Sequence, residues 1–411
     1  MHRVNTKQFA RASFLTGRRT ARWMTLGAAG LVMLVLLARF VAGSSLTNEG
    51  AFLDGLDYLP PWSLSLLVVP LGLACWALQQ PRLALVFVTT FLVLVFVEED
   101  HSWPGRHVPT APGAPVLKVA ALNVQFYRAG REKVANAVKS MDADVVLLSE
   151  NAVPPEEVPD LEALFAPLHF YAGRSEETAI VSRYPLHDVE EVELPSFQAS
   201  LRRPNRLEDR RTRGHRSFLH AQLDIEGFVV HVISIRFIAG RPPSKRPGDQ
   251  LEWGRYLVKT HHEEGAFFLD YLSRLKGPVI FGGDLNAPPS ARVIRRLADV
   301  AQDAYLATHW WGRPTFDVKF ALLRLDYLFG MNGAVPLESS RLSHVVSDHY
   351  PIWARFALEQ PDGRALTMPT AIRSPGGSTV PIAVVYGAPT MTAEQYRESW
   401  TGGPPSRRRP H

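Results

Sequence analysis

Short apolar runs that end in polar residues recur along residues 116–357, and this alternation limits the folds open to the chain more than any other feature of its sequence. The run VLKVAALNV at 116–124 is typical of a buried strand, and DVVLLSE at 144–150 is typical of a second one. Between them, residues 132–140 carry apolar side chains at helical spacing. This part of the chain is therefore expected to open with a β-α-β unit.

More strand-like runs follow at 178–182, 216–223, 227–237, 278–281, 325–329 and 352–356. Helical patterns occupy 250–275 and 291–297. Several of the strands follow one another without an intervening helix, unlike the strands of a doubly wound nucleotide-binding sheet. The sequence therefore predicts an α+β fold, in which two mixed or antiparallel sheets pack together with helices on the outside.

Composition excludes several classes of protein. Hydrophobic residues make up 46% of the chain and charged residues 21%, a balance too apolar for a disordered protein. A formal net charge of +5 over 411 residues does not by itself indicate nucleic-acid binding. Cys75 is the single cysteine, so neither an intrachain disulfide nor a thiolate metal cluster can form.

The first hundred residues are typical of a membrane region. Residues 23–42 form an apolar run of membrane-spanning length whose only charge, Arg39, lies near its end. Two more apolar runs, 62–79 and 83–97, are joined by a short Pro-Arg turn, which predicts a helical hairpin. We therefore expect three transmembrane helices before the soluble part. A cleaved signal peptide is the alternative for the first run.

The distribution of positive charge predicts the orientation in the membrane. Six Lys and Arg residues lie in segment 1–22, whereas the loop 43–61 has three acidic residues and no Lys or Arg. We therefore expect segment 1–22 in the cytoplasm and the domain outside it. The chain is predicted to be a multi-pass protein of the cell membrane with the lipid bilayer as partner, and no protein partner is indicated. If the second run spans and the third does not, the domain lies in the cytoplasm instead.

Segments of different composition flank the strand-rich part. Residues 98–115 include a stretch rich in Pro and Gly that is typical of a linker. Residues 358–411 contain eight of the 32 prolines and end in Ser-Arg-Arg-Arg-Pro-His, which predicts a disordered tail. The expected order is a basic N-terminus, a membrane region at 23–97, the linker, a domain at 116–357 and the tail.

The polar residues at the strand ends carry groups suited to binding a cation. They are four carboxylates, two amides and one imidazole: Glu150, Asp284, Asp326, Asp348, Asn123, Asn286 and His349. Taken singly, each is better explained as a helix cap or a turn former. Together, they suit a hard cation bound through oxygen and a water nucleophile. Zinc is not indicated, because the sequence has no HExxH or CxxC spacing.

Seven motifs follow one another in the same part of the chain: ALNVQ, VVLLSE, TAIVSRYPL, VVHVISIRF, GPVIFGGDLNAPP, RLDYLF and SDHYPI. In content and order they resemble the endonuclease/exonuclease/phosphatase superfamily, over about residues 116–357. This superfamily includes pancreatic-type deoxyribonuclease, exonuclease III-type apurinic endonucleases, neutral sphingomyelinases and inositol polyphosphate 5-phosphatases. The resemblance implies a DNase I-like fold, which is a four-layer β-sandwich flanked by helices.

The resemblance also implies a metal site. Glu150 and Asp348 would bind Mg²⁺, with Mn²⁺ as an alternative, and Asn123 would assist at the metal or the phosphate. Mg²⁺ keeps several waters and takes one or two protein carboxylates, so the other acids are left to position a nucleophile and a histidine. Gln125 stands where the apurinic endonucleases have a second acidic residue, which favours one principal metal site.

The remaining residues receive catalytic roles from the same resemblance. Asp284 would activate or orient the attacking water, and Asn286 beside it would hold the phosphate. His349, oriented by Asp326, would neutralise charge that develops on the phosphoryl oxygens. Arg236 departs from the pattern, because many members have a histidine there. An arginine binds phosphate through two hydrogen bonds but cannot act as a general acid.

Two further features bear on the substrate. Segment 201–216 has seven Arg against two acidic residues, and it is either a solvated loop or a rim that attracts phosphate-rich molecules. Trp310 and Trp311 are either an apolar lip for a lipid headgroup or packing residues. Phe316 stands where members of the superfamily more often have a tryptophan, and this change is mild.

The sequence thus predicts a membrane-anchored, Mg²⁺-dependent phosphoesterase that cleaves a phosphodiester by in-line attack of water. The substrate is expected to be nucleic acid or a phospholipid headgroup. A nuclease loses affinity as salt rises, whereas a lipid phosphodiesterase acts on vesicles or micelles. The alternative function is that of a catalytically silent membrane receptor or scaffold that only binds phosphate in the same pocket.

Overall fold

A computed structural model of the chain describes most of residues 61–359. The described residues are 61–77, 80–93 and 113–359, with gaps at 152, 174–176, 196–215, 240–246, 320–322 and 344–345, together with five isolated residues nearer the N-terminus. The chain divides into two compact units, residues 1–100 with 290–292, and the remainder.

Some of the sequence predictions fall outside the described residues. These are almost all of the apolar run 23–42, nearly all of the linker, the arginine-rich segment 201–215 and the tail from residue 360 onwards. Their predicted roles therefore stay predictions.

Two helices form most of the described part of the first unit. Helix α1 spans Pro61–Ala77 and α2 spans Pro81–Val93. Gly72 lets the helices approach closely, because a Cβ there would lie 3.1 Å from Cβ of Phe87. Two helices in contact thus occupy the position of the predicted hairpin, and the last residues of both predicted apolar runs lie outside the described residues. In the described part of the chain, no helix combines the length and the apolar character needed to cross a membrane.

Beyond residue 112, the described chain has twelve strands and five α-helices. The strands are β1 Val116–Asn123, β2 Val145–Ser149, β3 His169–Ala172, β4 Thr178–Ser182, β5 His187–Glu193, β6 Ser217–Ile225, β7 Phe228–Ser234, β8 Val279–Asp284, β9 Gln302–Asp303, β10 Asp326–Met331, β11 Ala334–Arg341 and β12 Ile352–Leu358. The helices are α3 Arg131–Ser140, α4 Val158–Phe165, α5 Pro247–Ser273, α6 Arg292–Val300 and α7 Ala304–Thr308, with 3₁₀ turns at Gln125–Tyr127 and Pro155–Glu157.

The strands form two six-stranded sheets. Strand order is β11-β12-β1-β2-β4-β3 in the first sheet and β5-β6-β7-β8-β10-β9 in the second. One pair near the centre of each sheet is parallel, β1 with β2 and β7 with β8, and the other neighbours are antiparallel. The predicted α+β fold with two mixed sheets is therefore confirmed.

Strand β1 is apolar on both faces because it lies between two layers. Leu117, Val119 and Ala121 belong to the core between the sheets. Ala120 and Leu122 face the other way and join a second core, which includes residues of α3 and α4. A strand buried on both faces has a near-continuous apolar sequence rather than an alternating one.

Helix α5 covers the outer face of the second sheet. Its Phe268 packs edge-on against Phe281 of β8 and Phe218 of β6, with ring centroids 5.2 and 5.1 Å apart. His261 on the same helix is fully buried and donates a hydrogen bond from Nε2 to the carbonyl of Ile238, at 2.8 Å. Helices therefore flank both sheets, which gives the four layers that the resemblance implies.

Some elements are not indicated by the sequence patterns. Strand β5 (HDVEEVE) lies at a sheet edge and is mostly polar, so it lacks an apolar face to detect. Strand β11 is also an edge strand and has a register shift between Pro336 and Glu338. Edge strands tolerate proline and bulges because one side of their backbone is not paired. The sequence patterns also did not indicate four shorter elements, which are strands β3 and β9 and helices α4 and α7.

The direction of the strands brings polar residues to the strand ends that form the site. Parallel β1 and β2 end side by side, with Asn123 paired with Ser149 in the register. In the second sheet, β8 ends at Asp284, directly opposite Asp326, where antiparallel β10 begins. His349 lies three residues before β12, whose Ile352 pairs with Ala121 near the end of β1.

The buried histidine on α5 predicts a loss of stability in mild acid. Burial, the largest cause, lowers the pKa of His261 to about 4, so the folded protein holds it neutral. The unfolded chain takes up a proton near its ordinary pKa of about 6.5. The stabilisation is therefore full above pH 6.5 and falls as the pH drops towards 4. Between pH 6.5 and 5 the wild type should lose about 2 kcal/mol of unfolding free energy more than His261→Gln.

Urea unfolding of both proteins at the two pH values measures this difference. The glutamine keeps an N–H donor for the Ile238 carbonyl but does not titrate. Equal losses in the two proteins would mean that His261 is not held neutral by the fold.

Candidate active site

Asp284 lies at the centre of the site and is held from two directions by the opposite sheet. Its Oδ2 accepts a hydrogen bond from Nδ2 of Asn123 at 2.9 Å, and its backbone N–H donates to Oγ of Ser149 at 3.1 Å. Asp284 ends β8, whereas Asn123 and Ser149 end β1 and β2. The carboxylate is only 1% exposed. The structure thus brings together two of the residues singled out in the sequence, Asn123 and Asp284, from different parts of the chain.

Two glycines before Asp284 allow this close approach of backbones. A Cβ at Gly282 would lie 2.2 Å from the carbonyl oxygen of Tyr327, and one at Gly283 would lie 2.3 Å from that of Ile235. Gly283 also has a φ of 134°, which side-chain-bearing residues rarely adopt. The FGGD motif is therefore required by the packing of β8 against its neighbours.

His349 is held by Asp326 beside Asp284. Its Nδ1 lies 2.8 Å from Oδ2 of Asp326, and its Nε2 lies 3.9 Å from Oδ2 of Asp284. The ring of Phe316 packs against the imidazole with centroids 4.7 Å apart. Thr315 orients the pair from behind, because its Oγ1 accepts the backbone N–H of Asp326 at 3.1 Å. The predicted pairing of Asp326 with His349 is thus present in the structure.

The fold shifts the pKa values of both groups. Burial, the largest cause, raises the pKa of Asp284 to about 6, and the negative charge of Asp326 adds to it against the opposing effect of His349. Burial on its own would lower the pKa of His349, but the charges of Asp326 and Asp284 outweigh it and raise that pKa to about 10. At neutral pH the site therefore contains a carboxylate next to an imidazolium.

Asn286 lies beside this pair in a strained conformation. Its φ is 49°, in the left-handed region. Its backbone N–H donates to Oδ1 of Asp284 at 3.0 Å, and its Nδ2 donates to the carbonyl of Phe237 at 3.0 Å. Since an amide group carries two N–H bonds, the second is left for another acceptor.

Glu150 and Asp348 are placed differently from the residues around Asp284. Glu150 follows β2 with a left-handed φ of 56°, and its Oε1 accepts a hydrogen bond from Nη2 of Arg236 at 2.6 Å. Asp348 is half-buried and accepts from the hydroxyl of Ser347 at 3.2 Å. No hydrogen bond or ion pair of the described residues joins these two carboxylates. Their pairing as metal ligands stays a prediction.

Arg236 makes contacts that its sequence position did not indicate. Nη1 donates to Oε2 of Glu177 at 2.5 Å, and Nε lies 3.9 Å from Oδ2 of Asp284. Arg216 contacts the same Glu177 at 3.7 Å. Burial would lower the pKa of Arg236, but Glu177 and Glu150 outweigh it and raise that pKa further. The guanidinium is therefore a permanent charge inside the site.

Glu177 and Arg216 are site residues that sequence reasoning missed. Glu177 belongs to none of the polar strand ends, since it precedes β4 rather than following a strand. Arg216 is the last arginine of the basic segment 201–216, which gave no reason to separate it from the others. The available signal was a charged residue directly before an apolar strand in both cases.

Three other residues singled out in the sequence also have defined positions. The backbone N–H of Gln125 donates to Oδ1 of Asn123 at 2.9 Å, which orients that amide towards Asp284. Gln125 and the two residues after it, Phe126 and Tyr127, all have positive φ. Trp310 and Trp311 are 55% and 45% exposed, so neither is a core residue.

A family model described as the Endonuclease/Exonuclease/phosphatase family matches residues 120–349, more than half of the chain. The chain belongs to this family. The matched residues contain every predicted site residue, from Asn123 at the end of β1 to His349 before β12. A search of curated proteins finds no match.

Several solved structures are similar to this chain at low sequence identity. An endonuclease/exonuclease/phosphatase from Bacteroides vulgatus is 15% identical with a TM-score of 0.46, covering 59% of this chain and 99% of its own. Beta toxin from Staphylococcus aureus is 18% identical with a TM-score of 0.43, covering 58% and 99%. TDP2 from D. rerio, solved with a single-strand DNA product, is 18% identical with a TM-score of 0.44, covering 59% and 98%. The family assignment rests on the sequence match, and these structures concern the fold alone.

The family implies a divalent metal, and the donor atoms of the site fit one. Ligand atoms of Asp284, Asp326 and His349 lie within 4.8 Å of one another, close enough to share one cation. An imidazolium has no lone pair to offer, so with His349 protonated the available ligands are carboxylate oxygens. Carboxylate oxygens suit hard cations such as Mg²⁺ or Mn²⁺.

The charge on His349 can be tested by removing its partner. Asp326→Asn should lower the pKa of His349 from about 10, the value that the neighbouring carboxylates produce against burial. Loss of an adjacent opposite charge moves a pKa by about 1 to 3 pH units. NMR titration of the imidazole resonances measures the change.

Asp348→Asn is the matched control, because Asp348 contributes least among the carboxylates that raise the pKa of His349. It should produce a smaller decrease. Equal decreases in the two variants would contradict the structural pairing of Asp326 with His349.

Proposed function

We propose that this protein is a membrane-anchored, Mg²⁺-dependent phosphodiesterase that cleaves nucleic acid or a phospholipid headgroup. Membership of the endonuclease/exonuclease/phosphatase family supports hydrolysis of a phosphate ester. The observation that carries the proposal is the placement of Asp284 between a hydrogen bond from Asn123 and the imidazolium of His349. A buried base next to a buried cation suits the activation of water for attack on phosphorus.

Asp284 is proposed to orient the attacking water and to accept its proton. Its pKa of about 6 leaves it ionised at neutral pH, yet basic enough to take up a proton. Asn123 fixes the carboxylate through Oδ2, and the backbone of Asn286 fixes it through Oδ1. The second amide N–H of Asn286 is proposed to bind the phosphate.

His349 is proposed to stabilise the charge that develops on the phosphoryl oxygens. Asp326 and Phe316 keep its ring in place, and its raised pKa keeps it cationic. Arg236 is proposed as a second positive group towards the phosphate. Glu150 and Asp348 are proposed as the ligands of Mg²⁺, because Asp284, Asp326 and His349 are assigned to the water and the phosphate. The cation would supply a Lewis acid that polarises a phosphoryl oxygen.

Two features of the chain favour different substrates. The exposed pair Trp310 and Trp311 lies on the segment that leads to Thr315 and Phe316, and it suits an apolar lip beside a lipid headgroup. The basic segment 201–216 suits a polyanion such as nucleic acid. The substrate is therefore left as a phosphodiester of either class, to be decided by assay.

Hydrolysis by the full-length protein is the first test. We expect Mg²⁺-dependent product release from one class among plasmid, oligonucleotide, sphingomyelin vesicles, phosphatidylinositol phosphate vesicles and bis(p-nitrophenyl) phosphate. Asp284→Asn and His349→Ala should each reduce the rate by about 10² to 10⁴-fold, the range for loss of a group that transfers or stabilises charge. Asp142→Asn is the control, since this exposed carboxylate lies before β2, at the opposite end from Glu150.

The pattern of activity separates the candidate functions. A rate that falls steeply with salt on oligonucleotides identifies a nuclease, and activity confined to vesicles identifies a lipid phosphodiesterase. A biological effect that survives both Asp284→Asn and His349→Ala would sink the enzyme hypothesis and favour the silent receptor or scaffold.

Membrane anchoring through residues 23–97, with the domain outside the cytoplasm, is a further part of the proposal. Its support is the apolar run 23–42 and the exposed apolar side chains of the hairpin, such as Leu73, Trp76 and Leu85 at 62%, 73% and 65% exposure. Large exposed apolar surfaces of this kind mark membrane or protein contacts.

This predicts that the full-length protein stays with the membrane fraction after carbonate washing. Added protease should digest the domain in spheroplasts without lysis. Release of the protein by carbonate would contradict the anchoring. Protection of the domain from protease until the cells are lysed would contradict the orientation.

A further inference from the structure

Five charged side chains of alternating sign form a continuous row beside the site. Glu150, Arg236, Glu177, Arg216 and Glu264 contact one another in that order, at 2.6, 2.5, 3.7 and 2.9 Å. Their side chains are between 0% and 15% exposed. We refer to these five residues as the charge row.

The charge row joins three layers of the fold. Glu150 and Glu177 flank β2 and β4 of the first sheet, whereas Arg216 and Arg236 flank β6 and β7 of the second. Glu264 lies on α5. Each carboxylate of the row therefore faces a guanidinium from another part of the fold.

Backbone contacts fix the inner end of the row. Nη2 of Arg216 donates to the carbonyl of Arg236 at 3.0 Å, and Oε2 of Glu264 accepts the backbone N–H of Ile238 at 3.2 Å. The segment that carries Arg236 is thus held in place by Arg216 and Glu264. The side chain of Arg236 is therefore the part of this segment that can change its contacts within the site.

The guanidinium of Arg236 is divided among three carboxylates. Its two terminal nitrogens bind Glu177 and Glu150, while Nε faces Asp284 at 3.9 Å and has no hydrogen-bond partner among the described residues. A buried cation needs paired negative charge, so loss of one partner increases its hold on the others. Without Glu177, Arg236 would pair more strongly with Glu150 and Asp284.

We propose that Glu177 is a positioning residue that shares Arg236 with Glu150, weakens the Arg236–Glu150 pair and so keeps the Glu150 carboxylate available to a divalent cation. The inference rests on the proposed function, because Glu150 is the expected metal ligand. A guanidinium and a divalent cation use the same carboxylate oxygens, so the strength of the Arg236–Glu150 pair opposes metal binding directly. Glu177 acts on the metal through Arg236 and does not touch the substrate.

A double-mutant cycle on Mg²⁺ affinity tests this role. Isothermal titration calorimetry with the full-length protein would compare wild type, Glu177→Gln, Arg236→Gln and the double variant. We expect Glu177→Gln to weaken Mg²⁺ binding about tenfold, and Arg236→Gln to strengthen it by about the same factor. In the double variant the affinity should equal that of Arg236→Gln, because Glu177 has nothing left to position.

Two controls separate positioning from other effects. Asp142→Asn removes one negative charge at an exposed site before β2 and should leave Mg²⁺ affinity unchanged. Glu177→Asp keeps the charge but shortens the side chain, so its affinity should lie between wild type and Glu177→Gln. Thermal unfolding shows whether each variant is folded. If Glu177→Gln is not folded, Glu177→Asp is used to test the proposal.

The proposal would be overturned if Glu177→Gln weakened Mg²⁺ binding by the same factor in wild type and in Arg236→Gln. Glu177 would then act by its own charge or as a ligand. Unchanged affinity in Glu177→Asp and Glu177→Gln, or absence of Mg²⁺ binding by wild type, would also overturn it. Binding is measured without substrate. The two proposals can therefore fail separately. If the Mg²⁺ affinities follow the expected order but the protein hydrolyses none of the tested esters, the phosphodiesterase function is refuted and the positioning role of Glu177 stands.

Discussion

The burial of one carboxylate governs the rest of this structure. Asp284 is removed from water, and a buried charge is tolerated only when hydrogen bonds and opposite charges surround it. The first sheet supplies Asn123 and Ser149, and β12 is preceded by the cation His349. The two sheets must therefore meet in one register at this edge, since a shift of either sheet would leave the carboxylate without partners.

The same requirement explains how positive charge is arranged around the site. His349 and Arg236 each lie 3.9 Å from Oδ2 of Asp284, and each is held by other carboxylates: Asp326 binds His349, whereas Glu177 and Glu150 bind Arg236. Neither cation is free to neutralise Asp284 fully, so the site keeps separated charges in a region with little water. Separated, fixed charges of this kind respond to a new charge on a substrate without first having to reorganise.

Much of the fold and part of the site could be predicted from the sequence. Apolar strands with polar ends indicated the two sheets, and the motifs singled out Asp284, Asp326 and His349, which the structure brings close together. Glu177 and Arg216 could not be found in this way, because their contacts depend on side chains reaching across layers rather than on strand ends. Strands β5 and β11 were hidden for another reason: edge strands need no apolar face, and so leave no periodic pattern.

The backbone around the site has a consequence for how the sequence can change over time. Nine non-glycine residues of the described chain have positive φ, and five of them, Gln125, Phe126, Tyr127, Glu150 and Asn286, belong to the strand ends that form the site. Each such residue costs roughly 1 kcal/mol or more relative to an ordinary conformation. Glycine would relieve the strain at every one of them, but at Glu150 and Asn286 it would remove the side chain that is proposed to bind the metal or the phosphate. Selection for greater thermal stability and selection for the proposed activity would therefore act in opposite directions at these two positions.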